Sequence, residues 1–202
     1  MLDQRMFALD ERLVGDLVAG HPWATLCSVV DGVPVVSHLP VLAEPGPAGA
    51  VVGHLARADA ERHELGAHPA VVVVQGPHAY VSPSFYRSAN PAVPTWNFVV
   101  AHLHGRPVVL GDAETLDVLD RTVEHLERPR PEPFRLASVD GYARRIAPHT
   151  TGFRLVPDRI DAKAKLSQDK PQADRDGVIA GLREDPVHAA PEMADWMSGA
   201  RP

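Results

Sequence analysis

The stretch that decides the fold is Trp23-Ala24-Thr25-Leu26-Cys27-Ser28-Val29-Val30-Asp31-Gly32-Val33-Pro34-Val35-Val36-Ser37-His38-Leu39-Pro40-Val41-Leu42. Two apolar, valine-rich runs flank Asp31-Gly32, and an Asp-Gly pair in that position is a strong hairpin signal because both turn residues must accept positive φ. The reading predicts a strand over Trp23–Val30 and its return over Val33–Leu42.

Outward from the hairpin, Asp10–Ala19 reads as an amphipathic helix with Leu13, Val14, Leu17 and Val18 on one stripe, Asp10 as N-cap and Gly20 as its stop. Downstream, Ala50–Ala56 reads as a third strand after a Pro/Gly loop, and Asp59 caps a helix over Ala60–Leu65. The four valines within Ala70–Gln75 predict a strand buried on both faces. Gly76-Pro77 is expected to break it before His78–Val81 continues extended. Ser82–Pro94 reads as a polar, proline-rich loop, and Thr95–Leu110 as one long strand or a bulged pair divided near Gly105.

A helix is predicted over Ala113–Leu126, capped by Asp112, with Leu116, Leu119, Val123 and Leu126 toward the core. A short helix over Ser138–Ile146, a last strand over Thr150–Pro157 and a helix over Gln172–Arg183 follow. Past Asp185 the chain reads as extended or frayed, with Met193, Trp196 and Met197 able to dock as a short helix. The expected organisation is one domain over residues 1–184 and a tail over 185–202. The fold class is mainly β with peripheral helices, arranged as a closed or partly closed barrel.

Composition narrows the function classes. Twenty Lys and Arg against 26 Asp and Glu give a formal charge of −6, which disfavours direct contact with DNA phosphates. Twenty prolines argue for turns and strand edges over a helical bundle. Cys27 is the only cysteine, so no intrachain disulfide forms. No apolar run has membrane-spanning length, and the charged N-terminus reads against a secretory signal. The expected address is cytoplasmic.

Eleven histidines are present, and His102-Leu103-His104 puts two imidazoles on one face of a strand. His63 and His68 flank the end of a helix. Zinc needs three or four converging ligands, and carboxylates and cysteines near these pairs are sparse in sequence. They read as surface or hydrogen-bonded histidines, and no metal is expected. Cys27 lies mid-strand as a small hydrophobe. No G-x-S-x-G elbow, G-x-G-x-x-G turn or Walker loop is present, so catalytic residues stay unassigned and a nucleotide must be held by side chains. Arg57, closing the third strand, is placed to fork onto a phosphate. Lys163, Lys165 and Lys170 form a compact basic segment. Trp96-Asn97 enters a strand from the proline-rich loop and offers a stacking plane beside an amide.

His21-Pro22-Trp23-Ala24-Thr25-Leu26, Ser37-His38-Leu39-Pro40, Gly53-His54-Leu55-Ala56-Arg57-Ala58 and Gln75-Gly76-Pro77-His78-Ala79-Tyr80-Val81-Ser82-Pro83-Ser84-Phe85-Tyr86 occur in that order. Val93-Pro94-Thr95-Trp96-Asn97-Phe98, Lys165-Leu166-Ser167-Gln168 and Ala173-Asp174-Arg175-Asp176-Gly177 follow. In this order the chain resembles the PaiB-type family of FMN-binding negative transcriptional regulators, from the first helix to about Leu182.

The resemblance implies an FMN-binding split β-barrel like that of pyridoxamine-phosphate oxidases, working as a homodimer with flavin at the subunit interface. It implies Arg57 as phosphate anchor supported by Lys165. Ser37, His38 and Leu39 would line the flavin, with His54 and Ala56 beside it. Trp96 and Asn97 would enter from the loop–strand junction, and Ser167 and Gln168 from the C-terminal segment. Departures are Asp59-Ala60-Glu61-Arg62 where the family tends to Asn-Pro-His-Trp, His104 where it commonly has Tyr, and Ala164 in place of a bulky residue.

Three functions compete: a flavin-binding regulator, an FMN-dependent oxidoreductase acting on a small-molecule substrate, and a haem-binding split barrel drawing on the abundant histidines.

Overall fold

In the computed structural model, residues 5–89 and 91–199 are described; the first four residues and the end of the expected tail, 200–202, lie outside them. The strands are β1 Trp23–Val30, β2 Val33–Ala43, β3 Val51–Ala56, β4 Ala70–Val81, β5 Thr95–Gly105, β6 Val108–Val109, β7 Thr150–Leu155 and β8 Arg159–Lys165. The helices are α1 Val14–Gly20, α2 Arg57–Arg62, α3 Asp112–Glu127, α4 Asp140–Ile146, α5 Gln172–Glu184 and α6 Pro191–Ser198. The strands form one sheet in the order β6-β7-β3-β2-β1-β4-β5-β8. No helix among the described residues is long and apolar enough to cross a membrane.

The described residues group into two compact units. The first draws on Met1–Asp10, Gln75–Val100 and Ala162–Pro202, and the second on Glu11–Val74 and Ala101–Asp161.

In the second unit the hairpin forms as its turn residues demand. Asp31 at φ 51° and Gly32 at φ 78° set a register that pairs Leu26 with Ser37 and Thr25 with His38. Leu26 and Leu39 are thereby buried, while Trp23 and Val36 stay exposed. β3 lies between β2 and β7, and α3 packs on this part of the sheet, where Leu42, Val52, Leu110 and Val118 form one buried cluster. Arg154 on β7 makes a two-pronged ion pair with Glu44, at 2.6 and 3.0 Å.

Ser28, His63 and Ser37 form a polar line inside this apolar unit. His63 is 1% exposed, with Nδ1 2.8 Å from Ser28 Oγ and Nε2 3.0 Å from Ser37 Oγ. A neutral imidazole satisfies both hydroxyls at once, since one nitrogen donates and the other accepts.

In the first unit α5 sits unusually close to the short turn Pro83–Phe85. A Cβ on Gly181 would lie 2.5 Å from the Phe85 ring, and one on Gly177 2.2 Å from the Phe85 carbonyl oxygen. Asp174, in the first turn of α5, accepts from the Arg87 and Ser88 amides at 2.8 and 2.7 Å and from Ser88 Oγ at 2.9 Å. These bonds hold its carboxyl below the usual carboxylate range.

Several sequence expectations are corrected. β4 runs unbroken through Gly76-Pro77, where both residues are buried and the proline's fixed φ suits an extended chain. Its valines alternate, with Val72 and Val74 fully buried and Val71 and Val73 half-buried, so the strand is not buried on both faces. The fully buried face of α3 is Thr115, Val118 and Thr122; Leu116, Leu119 and Val123 of the expected stripe flank it half-buried, and Leu126 is 52% exposed. Gly152 explains the shift: its amide donates to Thr115 Oγ1 at 3.1 Å, and the lack of a side chain lets Thr115 approach. The helix predicted over Ala60–Leu65 starts earlier, at Arg57, and β8 is a strand with no counterpart in the sequence expectations, which mark only its Lys163 and Lys165 as part of a basic segment. In the expected tail, residues 191–198 form α6, the short docked helix allowed for Met193, Trp196 and Met197, which are buried with Ala194.

Two outcomes follow. Gly177→Ala should destabilise the protein by about 1–3 kcal/mol, because the added methyl meets backbone rather than a movable side chain. Gly15→Ala, in α1 with open space around it, should be neutral or stabilise by up to about 1 kcal/mol in the same denaturant titration. The second concerns pH. Burial pushes His63 below the ordinary histidine value, as it does His54 and His102. As pH falls below about 6.5 the unfolded chain takes up protons that the folded chain refuses, so stability falls with it. Thermal unfolding between pH 8 and pH 5, taken as about the range where histidine titrates, should show that decline, and a shallower one in His63→Gln.

Candidate functional site

The residues singled out from sequence fall into two sets, one in each unit. In the second unit, Ser37, His38 and Leu39 sit on β2, where successive side chains alternate between faces. Ser37 and Leu39 turn inward. Leu39 is 1% exposed and serves as core, while Ser37 belongs to the polar line through His63. His38 turns outward, with Nδ1 3.0 Å from Thr25 Oγ1 on β1.

His54 and Ala56 share one face of β3, and Arg57 opens α2 immediately after the strand. His54 Nδ1 is buried without a hydrogen-bond partner among the described residues, and burial pushes the imidazole toward its neutral form. A buried polar atom left unpaired costs free energy on the order of 1–3 kcal/mol, so such an atom is a marker for a missing partner. Arg57 is exposed, and its Nε donates to the Pro148 carbonyl at 2.5 Å. That bond holds the arm at the end of β3. An orphaned imidazole nitrogen and a braced guanidinium three residues apart fit a phosphorylated heterocycle, which offers ring heteroatoms to one and phosphate oxygens to the other.

In the first unit, Trp96 and Asn97 lie on β5 and point to opposite faces. Trp96 is 52% exposed and belongs to an aromatic cluster, 5.6 Å from the His78 ring and 6.4 Å from the Tyr80 ring; Tyr80 in turn meets His188 at 4.8 Å. Asn97 is fully buried. Its Nδ2 donates to Ser167 Oγ at 3.0 Å and to Met197 Sδ at 3.3 Å, tying β5 to the turn after β8 and to α6. Ser167 is 2% exposed and has φ 61°. Gln168 is spent locally: Oε1 accepts from the Leu166 amide at 2.6 Å and Nε2 donates to the Ala164 carbonyl at 2.5 Å.

Lys165 donates to Thr95 Oγ1 and, at 2.9 Å, to the Trp96 carbonyl. Burial, helped by the like charge of Lys170 and opposed by Asp169, holds its ammonium below the ordinary lysine value. It lines a cavity of about 430 Å³ with Tyr86, Ser88, Thr95, Lys170 and Asp174, among others. Lys170 is paired with Asp169 at 3.0 Å and Asp174 is occupied by amides, which leaves Lys165 as the desolvated positive centre. A small molecule with an anionic group and several hydrogen-bonding atoms suits those walls.

Sequence reading missed His63 as the partner of Ser37, and Tyr86 as a cavity wall. No local pattern announces either, because each depends on strands or loops distant in the chain. The aromatic cluster was foreshadowed by the alternation His78, Tyr80 on one strand.

A protein-family model described as "Putative FMN-binding domain" matches residues 1–159. The chain is 28% identical over 187 residues to the protease synthase and sporulation protein PAI 2 of Bacillus subtilis, covering 91% of this chain and 89% of that one. An uncharacterised protein of Emericella nidulans is 32% identical over 128 residues, covering 55% of this chain and 51% of its own, so the match spans about half of that fungal relative. Among solved structures, a flavocytochrome from Azotobacter vinelandii superposes with a TM-score of 0.61 at 19% identity, covering 86% of this chain and 77% of its own. An FAD- and haem-binding protein from Mycobacterium smegmatis does so with a TM-score of 0.58 at 20% identity, covering 86% and 78%. These two likenesses concern the fold, a split barrel. The family match spans most of the sequence and includes β1 to β7, so the chain belongs to this FMN-binding-domain family, with FMN as its cofactor.

Proposed function

We propose that this protein is a PaiB-type flavin-binding regulator that works as a homodimer with FMN at the subunit interface. The observation that carries the cofactor assignment is the pairing of the buried, unpartnered His54 Nδ1 with the braced, exposed guanidinium of Arg57 at the end of β3. In this reading Arg57 binds the FMN phosphate, and His54, His38 and Ala56 lie along the flavin. Bound flavin supplies one- or two-electron redox chemistry; the chain supplies orientation and electrostatics.

The dimer is supported by the outer face of the β1–β2 hairpin. Trp23, Val29 and Val36 are each more than half exposed there; Val36, opposite Cys27, is diagonal to Val29, and Trp23 lies further along the same face opposite Pro40. An apolar sheet face of this kind marks a protein–protein contact. With a formal charge of −6, the regulatory role is proposed to act through the flavin or a bound small molecule, without direct grip on DNA.

A second reading, an FMN-dependent oxidoreductase, is favoured by one feature: the first unit's cavity with its desolvated Lys165, which suits an anionic substrate.

Purified protein is expected to bind FMN and to show flavin absorbance. Arg57→Ala should weaken FMN binding about tenfold or more, the loss of one charge-assisted contact worth about 1.5–3 kcal/mol. Titration of flavin fluorescence measures it, and unchanged affinity would remove Arg57 from the site. Light scattering should report a dimer that Trp23→Glu with Val36→Asp converts to monomer; if the monomer still holds FMN as tightly, the flavin is not at the interface. Flavin-dependent, anaerobic oxidation of a reduced nicotinamide cofactor with an anionic two-electron acceptor, in which Lys165→Ala slows reoxidation of the reduced flavin by that acceptor, would favour the second reading over the first.

A further inference from the structure

His102 and His104 stand two residues apart on β5, so the alternation of the strand puts both imidazoles on one face. What the sequence alone did not offer was a third ligand. The neighbouring strand β8 supplies it: Asp161 lies beside them, and one ligand atom from each of the three residues lies within 4.8 Å of the other two. His104 Nε2 is 3.0 Å from Asp161 Oδ2. All three residues are half-buried and belong to the second unit.

We propose that His102, His104 and Asp161 form a binding site for a divalent transition-metal ion of the zinc type. Two neutral imidazoles and one carboxylate suit zinc, iron(II) or cobalt(II), and they disfavour magnesium and calcium, which take oxygen ligands. With metal–ligand bonds of about 2.0–2.2 Å, neighbouring ligand atoms of a tetrahedral ion sit roughly 3.3–3.6 Å apart. The His104–Asp161 edge, at 3.0 Å, needs to open by only about 0.3–0.6 Å to reach that length. The His102 ring, tilted 67° to that of His104 with centroids 6.3 Å apart, closes the triangle by side-chain rotation.

The site already attracts a cation. The guanidinium of Arg159 lies 3.1 Å from both ring nitrogens of His104 and 3.3 Å from Asp161. Its side chain is 62% exposed, so it is free to swing into solvent when a better-matched cation arrives. Arg159 is therefore a competitor for the ion, and that gives the proposal a signature that an ordinary histidine–aspartate pair lacks. Three protein ligands leave at least one coordination position open, and His104 also lines a groove of about 270 Å³ with Cys27, Val29 and Val71, to which an exchangeable ligand has access.

The test is calorimetric titration of zinc into tag-free, chelator-treated, full-length protein, with magnesium as the comparison. One zinc per chain is expected, with no heat from magnesium. His104→Ala and Asp161→Asn should each weaken zinc binding about tenfold or more, since losing a ligand exceeds the outer-shell effect of that order. Arg159→Ala should tighten it severalfold, and His68→Ala, in the exposed His68–Glu64 pair, should leave it unchanged. A second measurement guards against misfolded variants: zinc should raise the unfolding temperature of wild type and of Arg159→Ala but not of the isosteric Asp161→Asn. Failure of both wild type and Arg159→Ala to take up zinc at high-micromolar concentration overturns the proposal. So does zinc binding that survives His104→Ala undiminished, or that His68→Ala abolishes. The result is independent of whether flavin binds.

Discussion

The turn at Asp31-Gly32 is the constraint on which much of the second unit rests. Both residues have positive φ, and the two-residue connection admits one register between β1 and β2. Because strand side chains alternate, a slip of one residue would exchange the two faces. Leu26 and Leu39 would then meet solvent, and Trp23, Val36 and His38 would turn into the core. The register also places Ser37 and Ser28 on the inner face, where His63 joins them. One turn thus separates an outward face with exposed Trp23, Val29 and Val36 from an inner face that carries the core and its polar line.

Polar groups inside the two units are handled in different ways, and the difference points to where ligands go. His63, Asn97, Ser167 and Asp174 are buried and satisfied by neighbours, so they hold elements together. His54 Nδ1 is buried and unsatisfied, and Lys165 is desolvated with a charge to place. Groups of the first kind contribute rigidity. Groups of the second kind are tolerable when a cofactor or substrate completes them. Membership of an FMN-binding family gives the orphaned nitrogen and the nearby Arg57 a coherent reading.

His102, His104 and Asp161 extend the same logic to a charge cluster. The two imidazoles are set by alternation on β5, and the carboxylate arrives on a strand that begins 55 residues after His104, with Arg159 in the position of a resident cation. Where the sequence marks only a basic segment, the pairing of β8 beside β5 converts a pair of histidines into a three-ligand set.

Local chemistry alone determined the hairpin, the first three strands, the division of β5 near Gly105 and, to within one residue at its end, the helix over residues 172–183, because turn residues and apolar alternation are short-range signals. The candidate set came from the resemblance carried by ordered motifs, with Arg57, Lys165 and Trp96-Asn97 also marked by their own chemistry. Tertiary structure decided the rest. The buried face of α3 depends on Thr115 packing against Gly152, two residues 37 apart, rather than on the leucine period. β8 lacks the β-branched run that announces a strand and forms because β5 offers it an edge. Leu39, Asn97 and Ser167 turned inward because their neighbours in space, invisible along the chain, consume their surfaces. Hydrogen bonds and packing between distant segments carry no local signature, and the function of a buried group is set by whether such a partner exists.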